Sequence, residues 1–265
     1  MTFNFIYEFN PKSMSSWIRI CNKTPRFPYI FVIDIFCFLF YVRRYLSIKS
    51  PTISFIFSLF ACSFFDNYLD FLIGSKFSIF EHPWKGGIII AIWFLFNFSS
   101  FDLFYRLCSF FSPLIHLMSG FTFGRNLSEA VDSTINFYPS SPFTIFFISA
   151  IISGGKYFLL SIMSLHHSSQ PENLNNHSFL IIPIILELCI GISCYYWLTD
   201  LGHFFSIFWF DKEEMRLYVI LFMSFARLIN SLIPKSIWDK ICNFFNTVFS
   251  SILPYHGSDP YKNFQ

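Results

Sequence analysis

Charge is scarce in this chain: only 13% of its 265 residues are Asp, Glu, Lys or Arg, against about a quarter in soluble domains. A net charge of +2 with no basic run argues against a nucleic-acid surface. The seven cysteines (Cys21, Cys37, Cys62, Cys108, Cys189, Cys194, Cys242) form no CxxC pair and keep no metal-ligand spacing with histidine, so they read as small apolar residues. The seven histidines (His82, His116, His166, His167, His177, His203, His256) make no HxxxH or HxxHH array, and neither GxSxG nor HExxH occurs. A membrane-embedded lipid transferase or hydrolase therefore lacks its nucleophile or metal, and no enzyme is expected. Met1 to Arg26 has no compact apolar core, which predicts no cleavable signal and leaves targeting to the first span.

Apolar surface is what the chain has in excess. Hydrophobic residues make up 54% and aromatic residues 23%, with 41 Phe, and the mean hydropathy is +0.52. Water offers no cover for that much apolar area, so the expected class is an all-α membrane protein whose phenylalanines face lipid or pack between helices. Punctuation by charge and proline predicts about seven spans of the length needed to cross a hydrocarbon core. They lie near Pro28 to Val42, Pro51 to Ile73, Trp84 to Tyr105, Leu107 to Gly124, Pro142 to Leu165, Phe179 to Leu198 and Met215 to Ile233. Asp34 interrupts the first and His116 the fourth, which Gly120, Thr122 and Gly124 also thin out. The expected organisation is an N-terminal segment 1–27, a membrane domain 28–233 and a C-terminal segment 234–265. In the last, Trp238 to Leu253 has the apolar spacing of a helix lying on the membrane surface. Lys and Arg divide almost evenly between alternate loops, so charge alone fixes no orientation.

A charge at the bilayer centre costs about 2.5 to 3.5 kcal/mol on insertion scales, so each asks for a partner, a wet cavity or a function. The candidates are Asp66, Asp70, Asp102, Lys156, Glu187 and Arg227. Asp66 and Asp70 share one helix face and would repel unless a cation, water or a proton intervenes, although Asp70 and Lys76 could instead mark a helix end. Gly154 and Gly155 precede Lys156 and allow either a close approach or a bend, with the lysine reaching a water path or the headgroups. Arg227, within LFMSFARLIN, calls for a carboxylate or a cavity.

The third span ends WFLFNFSSFDLFYR, Trp93 to Arg106. That stretch resembles the trimeric intracellular cation channels in Asp102, Leu103, Tyr105 and Arg106, and in Trp93, Leu95 and Phe98, with Ser100 where the family has proline. Phe27-Pro28, Asn67 to Gly74, Gly154-Gly155-Lys156 and Arg227 extend the resemblance over roughly Phe27 to Ser231. It implies two three-helix repeats plus a seventh helix, a homotrimer with one pore per protomer, and potassium flow balancing charge as calcium leaves the endoplasmic or sarcoplasmic reticulum or nuclear envelope. The amino terminus would be lumenal. The family binds an inositol phospholipid through Lys-Glu-x-x-Arg; the matching positions here are Phe121, Thr122 and Arg125, so only the arginine is kept. No other cofactor is implied.

On this reading Asp66, Asp70 and Asp102 are the acidic pore candidates, Gly154 and Gly155 would expose carbonyls, Lys156 and Arg227 would respond to voltage, and Arg125 would hold the lipid headgroup. The alternatives are a non-conducting relative acting as a structural or regulatory subunit, and a secondary transporter, since paired three-helix repeats also build carriers. Asn22, Asn126 and Asn176 begin glycosylation sequons, usable only on the lumenal side.

Overall fold

A computed structural model describes residues 29–46, 51–66, 68, 83–99, 102–167, 174–198, 212–233 and 240. Among the described residues there are eight helices and no strand. They are α1 (Phe31–Tyr45), α2 (Pro51–Asp66), α3 (Pro83–Phe98), α4 (Leu103–Phe110), α5 (Ser112–Phe137), α6 (Pro142–His167), α7 (Leu174–Leu198) and α8 (Lys212–Leu232). The first 28 residues and the C-terminal surface helix expected at Trp238 to Leu253 lie outside the described residues, apart from Lys240.

Proline sets several starts: Pro51, Pro83 and Pro142 are the first residues of α2, α3 and α6, and Pro113 sits in the first turn of α5. There the missing N–H is one the helix leaves unbonded in any case. Asp34 in the first turn of α1 and Arg43 and Arg44 in its last complement the helix dipole, as do Glu213 and Glu214 at the start of α8. The ends of the third and fourth expected spans move most. The third span stops at Phe98 rather than Tyr105, and the chain resumes at Asp102 with φ 57°, a left-handed conformation uncommon outside glycine. The fourth span runs to Phe137 rather than Gly124. Its polar second half stays helical because Arg125, Glu129 and Asp132 each find an ion-pair partner.

By length and apolarity, Pro142–Ser164 and Lys212–Leu232 can each cross a membrane alone, and α3 with α4 makes a third, broken candidate; Pro51–Phe65 and Ile184–Tyr196 are shorter apolar helices. Helix α5 is the hub, packing on α1, α6, α7 and α8. Helices α1, α2 and α3 touch pairwise, as do α5, α6 and α7, and α8 lies against α5 and α7. Phe38, Phe40, Phe96 and Phe123 fill the centre, whereas Phe60, Phe94, Phe98, Phe110, Phe143 and Phe147 are exposed. An outer phenylalanine layer is what lipid solvates; helix association then rests on close packing and polar contacts rather than on the hydrophobic effect.

The α5–α8 seam is the tightest. A Cβ on Gly120 would stand 2.4 Å from the Met223 carbonyl oxygen and 2.5 Å from Ser224 Cα, and one on Gly124 would stand 2.8 Å from Ile220 Cα. Glycines four apart thus bring two backbones together, as in small-xxx-small membrane packing.

Candidate functional site

Two ion pairs lie buried inside the bundle. Lys156 Nζ donates to Asp34 Oδ2, joining α6 to α1, with both side chains at most 3% exposed. Asn126 of α5 donates to the same oxygen at 3.2 Å. Arg227 Nε of α8 donates to Glu187 Oε2 of α7 at 3.1 Å, and its Nη1 donates to the Ser119 hydroxyl. The guanidinium lies 4.1 Å from the Phe123 ring centre and 4.5 Å from that of Tyr157, so two aromatic faces cover a charge that would otherwise meet lipid.

Tyr157 links the pairs. Its ring lies 5.7 Å from the Lys156 ammonium, and its hydroxyl meets Ser119 Oγ at 3.3 Å. Tyr41 closes the network toward the end of α1, with its hydroxyl 2.6 Å from His116 Nδ1. Removing one partner of a buried pair leaves a bare charge, whereas an intact pair is close to neutral in stability, so these contacts fix helix register more than they add energy.

Each end of the bundle carries a further cluster. At one, Arg43 donates to Asp102 at 2.9 Å and lies over the Tyr105 ring at 5.6 Å, while Arg44 reaches Ser112 at 3.3 Å. At the other, Asp132 of α5 receives Lys212 at 2.9 Å, Arg216, and the Tyr195 hydroxyl at 3.0 Å. One carboxylate thus ties α7 and α8 to α5. Replacing Asp132 by asparagine is expected to cost about 1–3 kcal/mol, because Lys212 and Arg216 lose the negative charge and one of its two acceptor oxygens becomes a donor, and Tyr195→Phe about 1 kcal/mol, because the hydroxyl that donates to the carboxylate disappears. Chemical unfolding in mixed micelles checks this; equal losses for the two variants would contradict it.

The structure places the sequence candidates as follows. Lys156 and Arg227 sit inside, each with a carboxylate. Arg125 is buried, donating to Glu129 at 2.9 Å within the same helix. Asp102 heads α4 with its side chain 40% exposed, held by Arg43 rather than standing in the bundle centre. Gly154 and Gly155 lie in an unbroken α6. A Cβ there would meet the side chains of Leu188 at 2.5 Å and Phe65 at 2.3 Å, so the two glycines make room for neighbouring side chains rather than for another backbone, in a helix that continues unbroken. Asp66 ends α2; its side chain, and Asp70 altogether, lie outside the described residues.

Asp34, Asn126, Ser119, Tyr157 and Asp132 are the additional polar residues of this framework. Asp34 had a signal, a lone carboxylate within FVIDIFCFLF. Asn126 reads in sequence as a sequon, yet it is buried and hydrogen-bonded to Asp34, so it offers no accessible glycan acceptor.

The TRIC channel family model matches residues 43–234, which spans α2 to α8 and leaves out most of α1. Two solved structures of a trimeric intracellular cation channel from C. elegans, one with bound Ca2+ and one without, share the fold at 16% identity. Each alignment covers 82% of this chain, with 96% and 95% of the other chains and TM-scores of 0.61 and 0.62 respectively. No curated protein matches the chain.

Proposed function

The chain belongs to the TRIC channel family, and from that premise we propose that it is an intracellular cation channel passing potassium as counter-ion during calcium release. The proposed assembly is a homotrimer in the endoplasmic or sarcoplasmic reticulum or nuclear envelope, with a lumenal amino terminus. Helices α1–α3 and α5–α7 would be the two repeats and α8 the seventh helix; the pairwise packing within each set supports this.

The observation that carries the reading is the series of paired charges and hydroxyls inside the bundle and at its two ends. They comprise Asp102–Arg43 at one end, Tyr41–His116, Arg227 with Ser119 and Glu187, and Lys156–Asp34 inside, and Asp132–Arg216 at the other end. Each of these groups is expensive away from water, and apolar side chains could pack the same helices. Such groups supply oxygen ligands and charges that a permeating ion can meet. Asp66 and Asp70 remain pore candidates at the end of α2 and beyond it. An inositol phospholipid remains a candidate ligand of Arg125, and would reach its guanidinium by displacing Glu129.

A non-conducting relative is the second reading, favoured by one observation: every described acidic candidate inside the bundle is neutralised by a basic one. Single-channel recording in planar bilayers under asymmetric potassium chloride decides between the two. Cation-selective unitary currents, altered by Asp102→Asn, are expected. Silence from a well-folded trimer would establish the non-conducting relative.

A further inference from the structure

Helix α4 turns 95° away from α3. The 16 residues of α3 rise about 24 Å, so α3 alone makes most of a crossing and a helix at right angles to it adds no depth. One side of α4 is fixed to the bundle. Phe104 packs edge-on against Phe96 at 5.1 Å and Phe36 at 6.2 Å, Tyr105 lies 5.8 Å from Phe40 and under the Arg43 guanidinium, and Arg43 holds Asp102. The other side is bare. Leu103, Leu107 and Phe110 are 70%, 56% and 79% exposed, at the i, i+4, i+7 spacing of one helix face, and exposed Phe111 and Leu114 continue the stripe into the start of α5. Beside it Arg106 and Arg44 are exposed, and Arg44 reaches Ser112 at 3.3 Å. No acidic residue occurs between Asp102 and Glu129, and Asp102 is already held by Arg43.

We infer that α4 lies in the plane of the membrane as an interfacial helix whose partner is an anionic phospholipid surface: the Leu103–Leu107–Phe110 stripe enters the acyl boundary, and Arg106 and Arg44 meet lipid phosphates. A helix with an apolar stripe and a basic rim is at its lowest energy there, with its apolar side below the headgroups and its charges among them. If α4 instead continued the crossing begun by α3, it would carry Arg106 into hydrocarbon at the insertion cost of an unpaired charge, with no carboxylate on α4 to offset it. A second copy seated on the stripe would bury Arg106 and Arg44 and would have to bring carboxylates of its own to them. With the amino terminus lumenal, as in the channel reading above, α1 ends and α4 lies on the cytosolic side, where anionic lipids are concentrated. The surface itself is the same in either orientation. Because Asp102–Arg43 ties α4 to α1, the depth of α4 in the interface also sets the level at which α1 stands in the bilayer.

The test uses the full-length protein in nanodiscs of equimolar phosphatidylcholine and phosphatidylglycerol, where neither conduction nor orientation enters. A nitroxide amino acid replaces Leu103, Leu107 or Phe110, and its depth is read from collisions with oxygen and with a water-soluble nickel chelate. All three labels should lie at one shallow depth below the phosphates. A helix crossing the core would instead grade them over about 10 Å, at about 1.5 Å per residue. Lipid retained from the same mixture, read by native mass spectrometry, should favour phosphatidylglycerol. Arg106→Gln should lower that preference about fivefold, the equivalent of about 1 kcal/mol per arginine at an anionic surface, and Arg106→Lys should keep it. Arg106 is exposed, so both variants should fold. Graded depths, labels shielded from both quenchers as at a protein–protein contact, or an unchanged lipid preference in Arg106→Gln would each overturn the proposal. Single-channel recording is independent of it: currents with α4 out of the interface refute the surface and keep the channel, while silence with α4 in place keeps the surface and refutes the channel.

Discussion

Arg227→Leu is expected to destabilise the bundle by about 3–5 kcal/mol, the cost of breaking a buried pair from one side. The leucine fits beside Phe123 and Tyr157, so packing is not the cause. Glu187, 7% exposed, is left buried without its guanidinium partner, and Ser119 loses a charged donor. Removing the carboxylate as well should restore most of the loss, because a pair replaced by apolar or neutral groups is close to neutral in stability. The double variant Glu187→Gln, Arg227→Leu should therefore lie within about 1.5 kcal/mol of the unsubstituted protein. Chemical unfolding in mixed micelles measures all three; a single variant no weaker than the double would refute the pairing as the origin of the effect.

Gly120→Val should be nearly as damaging, for a steric reason. Its Cβ would strike the α8 backbone at Met223 and Ser224, and backbone cannot rotate aside as a side chain can. Helix α8 has to shift outward, which also draws Arg227 away from Ser119. Overpacking of this kind costs about 1–3 kcal/mol from packing alone. Gly191→Ala is the control. Its Cβ would meet the Met223 methyl at 2.1 Å, a closer approach on paper, yet against the end of a flexible thioether chain. It should cost under about 1 kcal/mol by the same scale. Parallel thermal unfolding of the two variants checks the contrast, and a Gly191→Ala variant as unstable as Gly120→Val would refute it.

The membrane class, the positions of the long helices and the two buried cations were legible in the sequence, because lipid tolerates an unpaired Lys156 or Arg227 poorly and each stands out in an apolar run. Their partners were not legible. Asp34 is 122 residues from Lys156 and Glu187 is 40 from Arg227, and nothing local in either run specifies the other. The end of α5 was hidden for a related reason. Arg125, Glu129 and Asp132 look like a solvated loop until Lys212, Arg216 and Tyr195 are known to cover Asp132. The Gly120-x3-Gly124 spacing was visible, yet as a thinning of hydropathy rather than as a helix contact. Asp102 was found through its motif, while its left-handed backbone and its bond to Arg43 depend on the break after α3.

The pairing of α7 with α8 also orders the chain's birth. A ribosome delivers Glu187 to the bilayer before Arg227 exists, and Asp34 long before Lys156. Each carboxylate enters on its own, at about 2.5–3.5 kcal/mol on insertion scales. The groove over Gly120 and Gly124 is likewise empty until the last helix arrives. A nascent chain halted before Met215 therefore has every earlier helix and no way to close. Quality control acting on exposed intramembrane charge would see Glu187 as its mark, and release from the insertion machinery would wait for α8. Pulse-labelled chains truncated before Met215 should stay cross-linked to that machinery, and Glu187→Gln should free them; if the substitution leaves them bound, Glu187 is not what detains them.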